Sequence, residues 1–318
     1  MDEVIVTQGL TRRFGDKVAV DALDLRVTRG EVFGFLGPNG AGKTTTVRLL
    51  NGLLTPSAGH ARVFGYDVAR DATEVRRRTG VLTESPSLYE NLSAYDNLAF
   101  FGTLYGVPEE RLPERCRQLL DEFGLAERGD DQVGGYSKGM RQRLAIARTL
   151  LHDPQLIFFD EPTAALDPTA ARMVRDLISR LAVREGRTVF LCTHNLTEAQ
   201  ELCSRVGVIA QGSLRAIGAP SDLARRLWQG LWVEFDLRGA PSDAVIAALD
   251  GLPVVHQHSL EQGRLLAELE AEEHIPEVVA AIVAARGRIY SVAPRQHSLE
   301  EIYFEIEAQN GAQTGGVA

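Results

Sequence analysis

Lysine is nearly missing from this chain. Of 34 basic residues in 318, only Lys17, Lys43 and Lys138 are lysines, and arginine fills the rest. A lysine ammonium is a compact point charge that arginine's planar fork does not replace, so a lysine kept inside a motif points to chemistry there. Cysteine is equally scarce. Cys116, Cys192 and Cys203 form an odd set at no metal-ligand spacing, which excludes a disulfide framework and reads as buried thiols in a reducing compartment. No apolar run approaches the ~20 residues that cross a bilayer, and the opening MDEVIVTQGL lacks a basic stretch followed by an apolar one. The chain is therefore expected in the cytoplasm, with any membrane role passing through a partner. Positive charge is also in deficit, with 43 acidic residues and a net charge of −9. A nucleic-acid binder needs a basic face to displace counterions, so no nucleic-acid partner is expected. What remains is ordinary globular composition, 44% hydrophobic and 24% charged, with length for one large domain and a smaller one.

The first 220 residues alternate short apolar runs with helical patterns, which predicts an α/β domain built on a parallel sheet. VFGFL (32–36), LIFFD (156–160) and TVFLCT (188–193) are continuously apolar, as strands covered on both faces should be. VIVTQGL, AVDALDLRV and HARVFG alternate more weakly and suggest an antiparallel β flank. From about residue 85 to 150 the pattern is helical, with Ser93 placed to cap YDNLAFFGTLYG and a second helix in PERCRQLLDEFGL. This reads as an inserted helical subdomain.

Beyond residue 220 the pattern changes. Residues 221–230 read as a linker and 231–307 as an α+β accessory domain. The order β-α-β-β-α-β over 231–295 suggests a small ferredoxin-like module, with Leu231, Val233, Phe235 and Leu237 on one strand face. SLEEIYFEI opens with a Ser298/Glu301 capping box, and 308–318 reads as a disordered tail. His256 and His258 would share one side of a strand; with no third ligand near in sequence they read as a solvated pair.

GPNGAGKTT, residues 37–45, follows a buried strand and precedes a helix, the context in which G-x-x-x-x-G-K-[ST] binds phosphate. Gly37, Pro38, Asn39, Gly40, Ala41 and Gly42 would wrap the phosphates with backbone N–H groups, joined by Thr45. Lys43 would reach the β- and γ-phosphates and Thr44 would hold Mg²⁺. Asp160, ending LIFFD, is placed for the Mg²⁺ shell, and Glu161 beside it is the candidate base for the attacking water. His194 follows TVFLCT at a carboxyl end of the same sheet, where ligands of such sheets bind, and could touch the γ-phosphate. YSKGMRQRLAIAR, from Tyr136, is a second small-residue turn entering a helix, again an anion-binding arrangement.

In order, GPNGAGKTT, YSKGMRQRLAIARTLLHDPQLIFFDEPTAALDP and THNLTEAQELC resemble the ATP-binding subunit of ABC transporters over about residues 1–220. The resemblance implies ATP and Mg²⁺ as ligands. It implies that YSKGM, with Ser137, Lys138, Gly139 and Met140, is the signature that meets the ATP held by a second copy, so that two chains sandwich two nucleotides head to tail. It makes Phe14 the aromatic that stacks on adenine and Ala165-Leu166-Asp167 the loop crossing the dimer interface. Glu84 stands where the family usually has glutamine, as a ligand linking Mg²⁺ and water to the membrane partner. The YSKGMRQR signature, this glutamate and the C-terminal module resemble the drug-resistance type of bacterial exporter. Such a chain would sit at the inner face of the cell membrane on a separate permease, exporting a drug, lipid or other small hydrophobic molecule. The rival class is a soluble ABC ATPase acting on DNA or ribosomes; no heptad run lies between Lys43 and Asp160, and one ATPase domain is present rather than two. A third reading, a nucleotide-binding regulator without turnover, is opposed by Glu161. The role of the C-terminal domain stays open between regulation, dimerisation and passive stabilisation.

Overall fold

The computed structural model of the chain describes residues 2–83, 87–164, 166–228, 231–261, 263–295 and 297–314. It divides into two compact units, Met1–Pro220 with Asn310–Ala318, and Ser221–Gln309.

The first unit runs β1 (Glu3–Phe14), β2 (Lys17–Thr28), β3 (Val32–Leu36), α1 (Lys43–Leu50), β4 (Ala58–Val63), β5 (Tyr66–Asp67), α2 (Ala72–Arg78) and β6 (Thr79–Leu82). Three helices follow, α3 (Ala94–Leu104), α4 (Leu112–Glu122) and α5 (Lys138–Thr149). The chain then returns through β7 (Leu156–Asp160), α6 (Pro168–Val183), β8 (Thr188–Thr193), α7 (Leu196–Leu202), β9 (Arg205–Ala210) and β10 (Ser213–Gly218). One sheet has the order β2-β1-β4-β5 and is antiparallel. The other has the order β10-β9-β3-β8-β7-β6, parallel except for its edge strand β10.

Every residue of β3, β7 and β8 is buried. That is what a parallel strand between two helical layers demands, and why these three segments carry no alternation. Phe190 meets Phe33, Phe35 and Phe158 with ring centroids 5.3–5.5 Å apart. Each such side chain contributes about 1.5–3 kcal/mol by leaving water. Register carries the functional consequence: Leu36 lies opposite Thr193, and Asp160 opposite Cys192. The carboxyl ends of the three central strands therefore coincide. Among the helices, Ser93 caps α3 by accepting from the Asp96 N–H, and Asp167 caps α6 by accepting from Thr169 and Ala170, with Pro168 in the first turn.

The second unit contains all but the first residue of α8 (Pro220–Leu227), then β11 (Leu231–Asp236), α9 (Asp243–Asp250), β12 (Val255–Glu261), β13 (Arg264–Leu269), α10 (Ile275–Ala284), β14 (Ser291–Pro294) and α11 (Leu299–Thr314) as far as Gln309. Its sheet has the order β12-β13-β11-β14, antiparallel throughout. Val233, Phe235, Leu265, Ala267 and Leu269 bury one face together with Val245, Leu249, Val278 and Ile282 from the two helices. Three expectations are corrected here. Most of the stretch read as a linker is α8, whose Arg225 and Arg226 in the last turn complement the helix dipole. The supposed tail is helical through Thr314. There the Ser298/Glu301 box does form, Glu301 accepting from the Ser298 N–H at 2.8 Å and donating its own N–H to Ser298 Oγ at 3.2 Å. Such a start lets each further residue add a bond at little cost. Finally, a bulge between Val255 and Gln257 interrupts the alternation that placed His256 and His258 on one side. His258 instead pairs with Asp250 at 2.8 Å.

Candidate functional site

The loop of residues 37–42 leaves β3 and enters α1 through glycines that packing and backbone both require. A Cβ at Gly37 would lie 2.2 Å from the Ile209 carbonyl oxygen. Gly42, the N-cap of α1, has φ 114 and offers no side-chain cap. The first N–H groups of α1 thus keep no side-chain partner at the cap and face the loop, which suits an anion. Pro38, Asn39 and Gly40 are exposed, Ala41 is buried, and Thr44 and Thr45 are half-buried. Lys43 is 6% exposed, and its Nζ donates to the Gly37 carbonyl at 2.6 Å and the Pro38 carbonyl at 3.3 Å.

Strand register brings the acidic residues to this cation. Thr44 Oγ1 donates to Asp160 Oδ2 at 2.7 Å. Glu161 Oε1 lies 3.5 Å from Lys43 Nζ and 2.9 Å from His194 Nδ1, the latter without the alignment of a hydrogen bond. Thr193 Oγ1 donates to Glu161 Oε2 at 3.4 Å. Glu161 has φ 53, the left-handed region that an L side chain rarely occupies, and its N–H is fixed by the Cys192 carbonyl at 2.9 Å. Lys43, Thr44, Asp160, Glu161 and His194 therefore meet at one sheet edge. Thr193 was not among the expected residues; its signal was a polar residue ending an otherwise apolar buried strand.

The other expected residues lie apart from this cluster. Ser137 caps α5 by accepting from the Met140 N–H at 3.2 Å; Ser137 and Lys138 are exposed, Gly139 and Met140 half-buried. Among the described residues, no hydrogen bond or ion pair joins residues 137–140 to residues 37–45. A Cβ at Gly139 would meet only Ala170 Cβ at 3.8 Å, and one at Gly135 would meet nothing within 4 Å. The chain's own packing does not ask for these glycines. Phe14 is exposed at the end of β1, with the Arg12 guanidinium 4.6 Å from its ring centroid. Asp167, expected at an interface loop, is the cap of α6, a role legible in its Asp-Pro-Thr context. Glu84 and Ala165 lie outside the described residues.

A nearby acid is unexpected. Glu198 on α7 is 1% exposed, its carboxylate enclosed near the Thr163 and Thr193 hydroxyls. Burial pushes its pKa up; the Thr163 and Thr193 hydroxyls and Arg175 offset part of this, and Glu161 adds to it.

A glycine-rich loop between a buried strand and a helix, a hydroxyl and a carboxylate in contact, and a second carboxylate beside the loop's lysine make the arrangement of a P-loop nucleoside triphosphatase. The comparisons with known proteins narrow this. The ABC transporter family model matches residues 20–164. A daunorubicin resistance ATP-binding protein of Streptomyces coeruleorubidus is 40% identical over 307 residues, covering 96% of each chain. A fluoroquinolones export ATP-binding protein of Mycobacterium tuberculosis strain H37Rv is 42% identical over 254 residues, 79% of this chain and 82% of that one. A solved ATP-binding subunit of an ABC transporter superposes with a TM-score of 0.65 at 30% identity, over 70% of this chain and 92% of that one. The chain belongs to the ABC transporter family of ATP-binding proteins, and it is an ATPase of that family.

Proposed function

We propose that this chain hydrolyses ATP as one half of a head-to-tail homodimer and powers a separate membrane permease that exports a drug, lipid or other small hydrophobic molecule. The observation that carries the reading is the cluster at the sheet edge, with Thr44 bonded to Asp160 and Glu161 held beside Lys43. Residues 37–45 bind the triphosphate, and Phe14 offers its ring to the adenine. Lys43, already desolvated at the mouth of the loop, exchanges its contact with Glu161 for a phosphate oxygen. Released from the ammonium, the Glu161 carboxylate accepts the proton of the attacking water, while His194, on the exposed side, touches the γ-phosphate.

Thr44 and Asp160 are hard oxygen donors in contact, a set that fits Mg²⁺, which keeps several waters and takes only one or two protein carboxylates. When bound, the ion neutralises charge developing on the phosphate oxygens. Glu84 stays in this reading as a further oxygen ligand, the one that links the ion and water to the permease.

Ser137, Lys138, Gly139 and Met140 would meet the ATP of the second copy, and Asp167 would lie at the interface. The open space at Gly139 and Gly135 supports this, since a close approach from outside the chain gives these glycines a purpose. Tyr89, Phe100, Leu104 and Tyr105 form an exposed apolar patch on α3 and its lead-in, with Tyr89 and Phe100 in ring contact at 5.2 Å. Patches of this kind mark interaction surfaces, and this one supports docking of a permease that receives motion through residues 84–98. Among the described residues no helix is long and apolar enough to cross a membrane, so the proposed station at the inner face of the cell membrane depends on that partner. Likeness to a resistance protein over 96% of the chain, and to an export protein over 79% of it, supports transport over a role on DNA or ribosomes.

The test is affinity purification of the tagged chain from detergent-solubilised native membranes. A polytopic membrane protein in stoichiometric amount is expected; a chain accompanied by ribosomes or DNA would move its purpose to the rival class.

A further inference from the structure

One buried amide joins the signature helix to the acidic strand end. Gln142, on α5, is 8% exposed, and its Nε2 donates to the Pro162 carbonyl at 2.7 Å. A proline offers a carbonyl and no N–H, so the amide nitrogen must face it. Pro162 follows Glu161 directly, and Glu161 occupies a backbone region that costs about 1–2 kcal/mol for an L residue. Such a conformation persists only where its neighbours fix it. Cys192 fixes the Glu161 N–H, the Ala164 N–H bonds the Glu161 carbonyl at 3.2 Å, and Gln142 fixes the next peptide.

The other end of the link is the cap of the same helix. Ser137 precedes Gln142 by five residues, roughly 7.5 Å along the axis, and Leu144 through Thr149 are all buried, so α5 moves as a body. We infer that Gln142 is a positioning residue that couples the two nucleotide sites of the dimer. It registers the Glu161 backbone, which serves the chain's own ATP, on the helix whose cap serves the partner's. The inference rests on the dimer reading proposed above. Arrival of the partner's phosphate at Ser137 shifts α5, and the Gln142 amide carries that shift to Pro162 and Glu161.

The experiment compares the purified full chain with Gln142→Met, which keeps the side chain's volume without its donor, and with Gln142→Glu. ATP turnover is followed against ATP concentration, alongside direct ATP binding and thermal unfolding. In both variants turnover at saturation should fall about tenfold, within the ~10²-fold that a 1 Å misplacement of a reacting group can cost. The Hill coefficient should fall to one while ATP binding stays at its wild-type value, and the melting temperature should drop by only the few degrees that one unsatisfied buried carbonyl costs. Variants as active and as cooperative as the wild type would overturn the inference alone. Loss of ATP binding together with a lowered melting temperature in both variants would also overturn it, by making Gln142 a fastener of the fold. A wild type that hydrolyses ATP without cooperativity would remove the two-site reading and this inference with it.

Discussion

At the sheet edge of the first unit, Lys43, Asp160 and Glu161 are all buried, and Glu198 is buried close by. In the second unit, among the described residues, every buried side chain is apolar. Its charges pair on the outside, Arg264 with Glu234 and Arg295 with Glu261 and Glu301. Taking an ion out of water costs several kcal/mol, and replacing a buried pair by apolar groups often stabilises a fold. A fold that keeps four such groups together does so for chemistry, whereas one that buries only Val, Leu, Ile, Phe and Ala is organised for stability. The contrast locates the ATPase without reference to any relative, and it leaves the second unit with no comparable centre.

Substitution on each side sharpens the contrast. The largest effect is expected from Glu161→Gln, which should lower ATP turnover by about 10²–10⁴, as loss of a general base does, while ATP binding persists. A steady-state ATPase assay with a binding measurement checks it, and wild-type turnover would refute the assignment of the base. Next, Phe235→Ala should destabilise the second unit by about 3–5 kcal/mol, the usual cost of emptying a buried aromatic site. Denaturant unfolding should resolve that loss, with ATP binding by the first unit unaffected.

A smaller change of opposite sign is expected at Glu198. Its folded pKa is raised, chiefly by burial, so its contribution to stability is fullest below the unfolded carboxylate pKa and is lost as pH rises through the folded one. Glu198→Gln should therefore gain melting temperature on the wild type as pH rises from acid to neutral. Equal melting temperatures at neutral pH would mean that the charge is not penalised. The smallest effect belongs to Arg264→Ala, which removes an exposed pair and should cost less than about 1 kcal/mol in denaturant unfolding.

Much of this was legible in the sequence because it is local. The three buried strands announced themselves as unbroken apolar runs, and the phosphate loop as glycines and a lysine between strand and helix. What stayed hidden depends on register or on long-range packing. That Glu161 would stand between Lys43 and His194 follows from Leu36 pairing with Thr193 and Asp160 with Cys192, which no single segment states. Asp167 also caps α6, a role its Asp-Pro-Thr context announced beside the interface reading. The bulge that separates His256 from His258 leaves no mark on a two-residue alternation. Gln142 gave no sign at all, since its acceptor is a backbone carbonyl twenty residues away.

The central claim is that two copies close over two nucleotides, each completing the other's site through Ser137. The most direct measurement is the molecular mass of the Glu161→Gln chain in solution, with and without ATP and Mg²⁺. A monomer that becomes a dimer only when ATP is present, and fails to do so when Ser137→Ala is added, is the expected result. A chain that binds ATP yet stays a monomer, or a dimer indifferent to Ser137, would contradict the account.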